Sequence, residues 1–110
     1  MEILELQNKF QTLRKSQMSK EEFQILLLTY PIFIVANADG QFDNEEKEFM
    51  HEVLINFLEQ VYQNELTKEQ YSFLVENYLE DFSFLESNNS IFKLDFLKGL
   101  RSFDKEILQS

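Results

Sequence analysis

Two glycines and a single proline in 110 residues leave this chain almost nothing from which to build tight hairpins, while its apolar residues recur at steps of three and four along nearly the whole length. Hairpin turns draw on Gly, Asn-Gly and Pro for their special backbone angles, whereas i, i+3, i+4 spacing gathers apolar side chains on one face of a helix. The sequence therefore specifies an all-α fold, a small helical bundle of about five helices with short connections. No shift in composition marks a linker or a repeat, so residues 1–110 read as a single domain. A chain of this mass buries enough surface to hold an ordinary core.

Local signals place the helices. Ile3, Leu6, Phe10 and Leu13 form the stripe of a first helix over about residues 2–17. Ser19 with Glu22, Asp43 with Glu46 and Thr67 with Gln70 are three capping boxes, in which a side-chain oxygen and a carboxylate or amide each satisfy an orphan N–H. They start helices near Lys20, Asn44 and Lys68. The helix from Lys20 is apolar nearly all round (Phe23, Ile25, Leu26, Leu27, Leu28, Tyr30, Ile32, Phe33, Ile34, Val35), which makes it the central one, and Pro31 is expected to kink or divide it. The run Ile32-Phe33-Ile34-Val35 also suits a buried strand, but no partner strand is visible. On the third helix, Phe49, Met50, Val53, Leu54, Phe57, Leu58 and Val61 predict a broad apolar face. Tyr71, Leu74, Val75, Tyr78, Leu79 and Phe82 mark the fourth. After the polar break Ser87-Asn88-Asn89-Ser90, a fifth helix carries Phe92, Phe96, Leu100, Phe103 and Ile107, with Gly99 an internal weakness.

Charge and cysteine usage bound the function. Twenty Asp and Glu against ten Lys and Arg give a net charge of −10, which argues against nucleic acid or an anionic membrane as partner. Twelve Phe and four Tyr distinguish a folded acidic domain from a solvated acidic tail. The absence of cysteine removes disulfides, thiolate metal sites and thiol catalysis and suggests a cytoplasmic protein. The first residues lack a basic segment followed by an apolar run, and the longest apolar stretch, Ile25 to Ala36, is too short to span a bilayer, so no direct membrane insertion is expected.

Catalysis has little to draw on. His51 is the sole histidine, no serine has a credible histidine partner, and the only two glycines lie 59 residues apart, so no Gly-rich phosphate loop exists. The expectation is a protein that is not an enzyme. The informative segment runs from Val35 to Glu46. With Gly40 at the sixth position of a calcium-binding helix-loop-helix loop, Asn37 falls at the third, Asp39 at the fifth, Phe42 at the eighth, Asp43 at the ninth and Glu46 at the twelfth. Asn37, Asp39, Asp43 and Glu46 are thus candidate ligands for Ca2+ or another divalent cation, weakly bound because Val35 stands where the first Asp is needed. The same Asp43–Glu46 spacing equally serves a capping box alone, and Asp39-Gly40 equally serves a turn. Glu45, Glu48, Glu52 and Glu59 fall opposite the apolar face of the third helix. They form an acidic ridge that is either a solvated face or a docking surface for a protein with a basic surface. His51 lies at the flank of that helix and reads as a half-exposed residue.

The run Ile34-Val35-Ala36-Asn37-Ala38-Asp39-Gly40, continuing to Glu46, resembles the signature of the tellurite-resistance TerB-like family, in which an apolar helix ends in Ala-Asp-Gly and a Glu follows six residues later. The likeness covers about residues 30–60. It implies an all-helical, non-enzymatic domain of bacterial stress response, phage defence or membrane-associated complexes, found also in DnaJ-type co-chaperones. It further implies a metal-binding acidic cluster, matched here by Asp39, Asp43 and Glu46. The second acidic motif common in that family has no counterpart: Asp95 and Asp104 lie on the last helix without an Ala-Asp-Gly. A different class of reading takes the carboxylate ridge as that of a small acidic inhibitor, a toxin-immunity or antitoxin-like protein that binds a basic enzyme. Ser19-Lys20-Glu21-Glu22-Phe23 resembles, as a capping box followed by an aromatic, the helix start of bacteriocin immunity proteins.

Overall fold

The structure, a computed structural model, describes residues 2–37 and 43–109, with side chains described as far as residue 102. Among the described residues five helices follow in order: α1 (Ile3–Arg14), α2 (Lys20–Ala36), α3 (Asn44–Tyr62), α4 (Lys68–Ser87) and α5 (Asn89–Gln109). No strand occurs among the described residues, so Ile32–Val35 is helical. The three capping boxes form as their sequences require. Ser19 Oγ accepts from Glu22 N at 3.0 Å, Asp43 Oδ1 from Glu46 N at 3.1 Å and Thr67 Oγ1 from Gln70 N at 3.1 Å, each with the reciprocal bond.

Helix α2 packs against all four others, as its all-round apolarity predicts. Pro31 does not divide it. Losing one donor inside a helix costs about 3 kcal/mol, which burial of Phe23, Leu26, Leu27, Tyr30 and Phe33 offsets. Thr29, fully buried in the same helix, returns its hydroxyl to the Ile25 carbonyl at 2.8 Å, so it carries no unpaired donor. Around α2 stands an aromatic core. Phe10 and Phe96 each meet four rings, and Phe33 stacks on Phe82 at 4.8 Å.

Several expectations need correction. Helix α1 ends at Arg14, with Lys15 in the left-handed region (φ 59°), because the Gln7 and Gln11 side chains bond the Met18 carbonyl and N–H and fold the connection back. The polar break before α5 contracts to Asn88, whose side chain donates to the Phe84 carbonyl at 2.9 Å. The apolar face of α3 is narrower than its composition indicates. Met50, Leu54 and Leu58 are buried, whereas Phe49 and Val61 are exposed.

Gly99 sits where α5 closes onto α1 and α2. A Cβ there would lie 2.8 Å from Leu6 Cδ2 and 3.6 Å from Leu27 Cδ1, so the missing side chain lets α5 close onto α1 and α2. Gly99→Leu should lower stability by about 2 kcal/mol, overpacking outweighing the better helix propensity. Urea unfolding measures this; an unchanged or higher midpoint would show that α5 does not approach so closely.

Candidate functional site

The sequence directs attention to the corner where α2 ends and α3 begins. Of the four candidate cation ligands, Asn37, Asp43 and Glu46 are described, and Asp39 lies outside the described residues, as does Gly40. Asn37 is the C-cap of α2, its N–H bonded to the Phe33 carbonyl at 2.8 Å. Its side-chain Oδ1 is buried and has no hydrogen-bond partner among the described residues, a cost that a backbone cap alone does not explain. Asp43 and Glu46 each commit one carboxylate oxygen to the other's N–H, at 3.1 Å in both directions. This is the arrangement that Ser19–Glu22 and Thr67–Gln70 make, so capping explains the Asp43–Glu46 spacing without any ion. No group of three His, Asp or Glu side chains among the described residues is placed to hold a metal. What is present is one orphaned amide oxygen and two carboxylates already serving the helix N-terminus.

The acidic ridge exists as a surface. Glu45, Glu48, Glu52 and Glu59 are all exposed along α3, and His51 is half-buried beside them. Next to its first turns lies an open groove of about 620 Å³ between α2 and α3, lined by Pro31, Ile32, Val35, Ala36, Glu45, Glu46 and Phe49. Val35 is 76% exposed and Phe49 49%, so two large apolar side chains face water beside the acidic residues of α3.

Comparison with protein-family models, curated proteins and solved structures returns no match. The TerB-like resemblance therefore rests on its short motif, and the Ala-Asp-Gly at the motif's centre falls outside the described residues. No described helix is long and apolar enough to cross a membrane.

A second polar cluster, not singled out from the sequence, lies between α1 and α4. Asp81 on α4 is buried, yet it is a carboxylate; Arg14 Nε reaches its Oδ1 at 3.1 Å, and the same guanidinium meets Glu80 at 3.4 Å and lies over the Phe84 ring. Burial pushes the Asp81 carboxyl up to about 6, against the opposing pull of Arg14. Nearby, the Tyr78 hydroxyl donates to the Glu22 carbonyl at 2.9 Å, and burial raises its pKa. A sequence signal for Asp81 existed in its position, three residues after Tyr78 and four before Leu85, on the buried side of α4. Asp95, which had no assigned role, pairs with Lys9 at 2.7 Å and ties α5 to α1.

Proposed function

We propose that this chain is a non-enzymatic binding module of TerB-like type, acting in bacterial stress response or defence, that engages a protein with a basic surface through the carboxylates of α3. The observation that carries the reading is the alignment of exposed Glu45, Glu48, Glu52 and Glu59 on one helix. Such a ridge steers a cationic partner into place and contributes more to association rate and specificity than to raw affinity. An acidic inhibitor seated on a basic enzyme is the narrower form of the same reading. A neighbouring gene for a basic nuclease, if found, would support that form.

Crosslinking capture in the source cell tests the ridge by location. Glu48→Lys with Glu52→Lys should remove most of the captured partner, while Glu69→Lys with Glu76→Lys, an equal charge change on α4, should leave it. Equal loss from both pairs, or from neither, contradicts the assignment.

The Asn37 Oδ1, buried with no partner among the described residues, favours a second property of the same corner, weak binding of a divalent cation. Asn37, Asp43 and Glu46, with Asp39, would supply the hard oxygen ligands that Ca2+ takes, and the ion would stiffen the junction of α2 with α3. Millimolar calcium should then shift the amides of residues 36–46 and raise the melting temperature, and Asp39→Ala should abolish both effects. Unmoved amides at that concentration remove the cation from the proposal and leave capping as the whole role of Asp43 and Glu46.

A further inference from the structure

We infer that the groove between α2 and α3 seats a basic amphipathic helix of a partner protein, its apolar face on Ile32, Val35 and Phe49 and its lysines and arginines on the carboxylates that border them. The inference rests on the α3 ridge reading and deepens it by naming the shape and chemistry of what binds.

Two observations lead there. The groove is apolar at its floor: Ile32 and Val35 lie one turn apart on α2, Phe49 faces them from α3, and all three are exposed. Anchor side chains spaced i, i+3, i+4 on an incoming helix fit a trough between two helices, the usual helix-in-groove mode. Among the described residues the rim is acidic. Glu45 and Glu46 line the groove itself, and exposed Glu48 and Glu52 continue along the same helix. Lys47, the cation within that stretch, borders a separate hollow with Arg14 and Glu76.

Charge also selects among occupants. A second copy of this chain would bring another ten negative charges to an acidic rim, and an anionic membrane or nucleic acid meets the same repulsion. A cationic, amphipathic segment meets neither obstacle.

The test uses the full chain and a fluorescent synthetic amphipathic peptide, with leucines and a tryptophan on one face and lysines on the other, read by anisotropy at low and at physiological salt. Val35→Ser and Phe49→Ser alter exposed side chains, and circular dichroism checks that both variants fold. Each should weaken binding about tenfold at both salt concentrations, the size expected for an anchor contact. Glu48→Lys with Glu52→Lys should weaken it mainly at low salt. A peptide of identical composition in shuffled order should bind at least about tenfold less tightly, having charge without an apolar face.

If the shuffled peptide binds equally well, or the serine variants bind normally, while charge reversal still acts, the groove inference fails and the ridge reading survives. Should charge reversal do nothing either, both fail. Concentration-dependent dimerisation that Val35→Ser abolishes would give the groove to a second copy, and uptake of an uncharged apolar dye without peptide binding would make it a small-molecule pocket; either result overturns the inference.

Discussion

Replacing Phe96 by alanine is expected to lower the unfolding free energy by about 4 kcal/mol, a large part of the 5–15 kcal/mol that holds a domain of this kind together. Phe96 is fully buried on α5 and touches the rings of Phe10, Phe23, Tyr30 and Phe92, so its loss leaves a cavity bounded by side chains from α1, α2 and α5. Those walls belong to three different helices and cannot collapse onto the gap without moving whole elements. The melting temperature should fall by on the order of 15 °C. Phe73 is the control. It is 69% exposed on α4, and Phe73→Ala should change stability by no more than about 0.5 kcal/mol. Comparable losses at the two positions would mean that the aromatic core is not built around α2 as described.

The second large effect belongs to the ion pair between α1 and α4. Arg14→Met keeps an apolar stem against Phe84 but strands the Asp81 carboxylate, and breaking such a pair from one side costs about 3 kcal/mol at pH 8. Asp81→Asn removes the buried charge instead and should cost far less. The pH dependence gives the sign. Asp81 titrates near 6 in the folded chain, above the ordinary carboxylate value of the unfolded one, so the folded state binds the proton more tightly. Its ionised form therefore opposes folding above about pH 6, by on the order of 2–3 kcal/mol, and this penalty is relieved as the pH falls from 6 towards 4. Arg14→Met raises the folded-state value further, so its deficit relative to wild type should shrink between pH 8 and pH 5. In Asp81→Asn that component is absent, and stability measured against wild type should decline over the same interval. A deficit for Arg14→Met that is constant with pH would place Asp81 in water.

Much of the fold was legible because its signals are local. Ser19–Glu22, Asp43–Glu46 and Thr67–Gln70 each act within one turn, and the starts of α2, α3 and α4 follow from them directly. The central place of α2 followed from its surplus of apolar residues. The less legible features depend on pairs far apart in the chain. Arg14 and Asp81 are 67 residues apart, and neither carries a local pattern that names the other. Gly99 reads as a weak helix residue until Leu6 and Leu27 are placed against it. Gln7 and Gln11 read as ordinary polar positions, yet their side chains hold the first connection.

The same division applies at the candidate site. Exposure of Glu45, Glu48, Glu52 and Glu59 was readable from the helical wheel, since it depends on a single helix. The groove was not, because periodicity fixes which side chains share a face but not how much of that face a neighbouring helix covers. Phe49 therefore sat within a predicted apolar face although it is half open to water. Asp43 and Glu46 show the converse limit. One spacing satisfies two chemistries, and the geometry displays the capping bonds while the loop residue that would separate the readings, Asp39, lies outside the described residues.

Hydrogen–deuterium exchange on the protein alone and with its captured partner bound tests the central claim most directly, since it reports where binding protects the backbone without presupposing what binds. Protection concentrated at the end of α2 and over the first half of α3, about residues 31–36 and 45–52, is the expected result. Protection centred on α4 and α5, with α3 unchanged, would contradict the assignment of this face as the interaction surface.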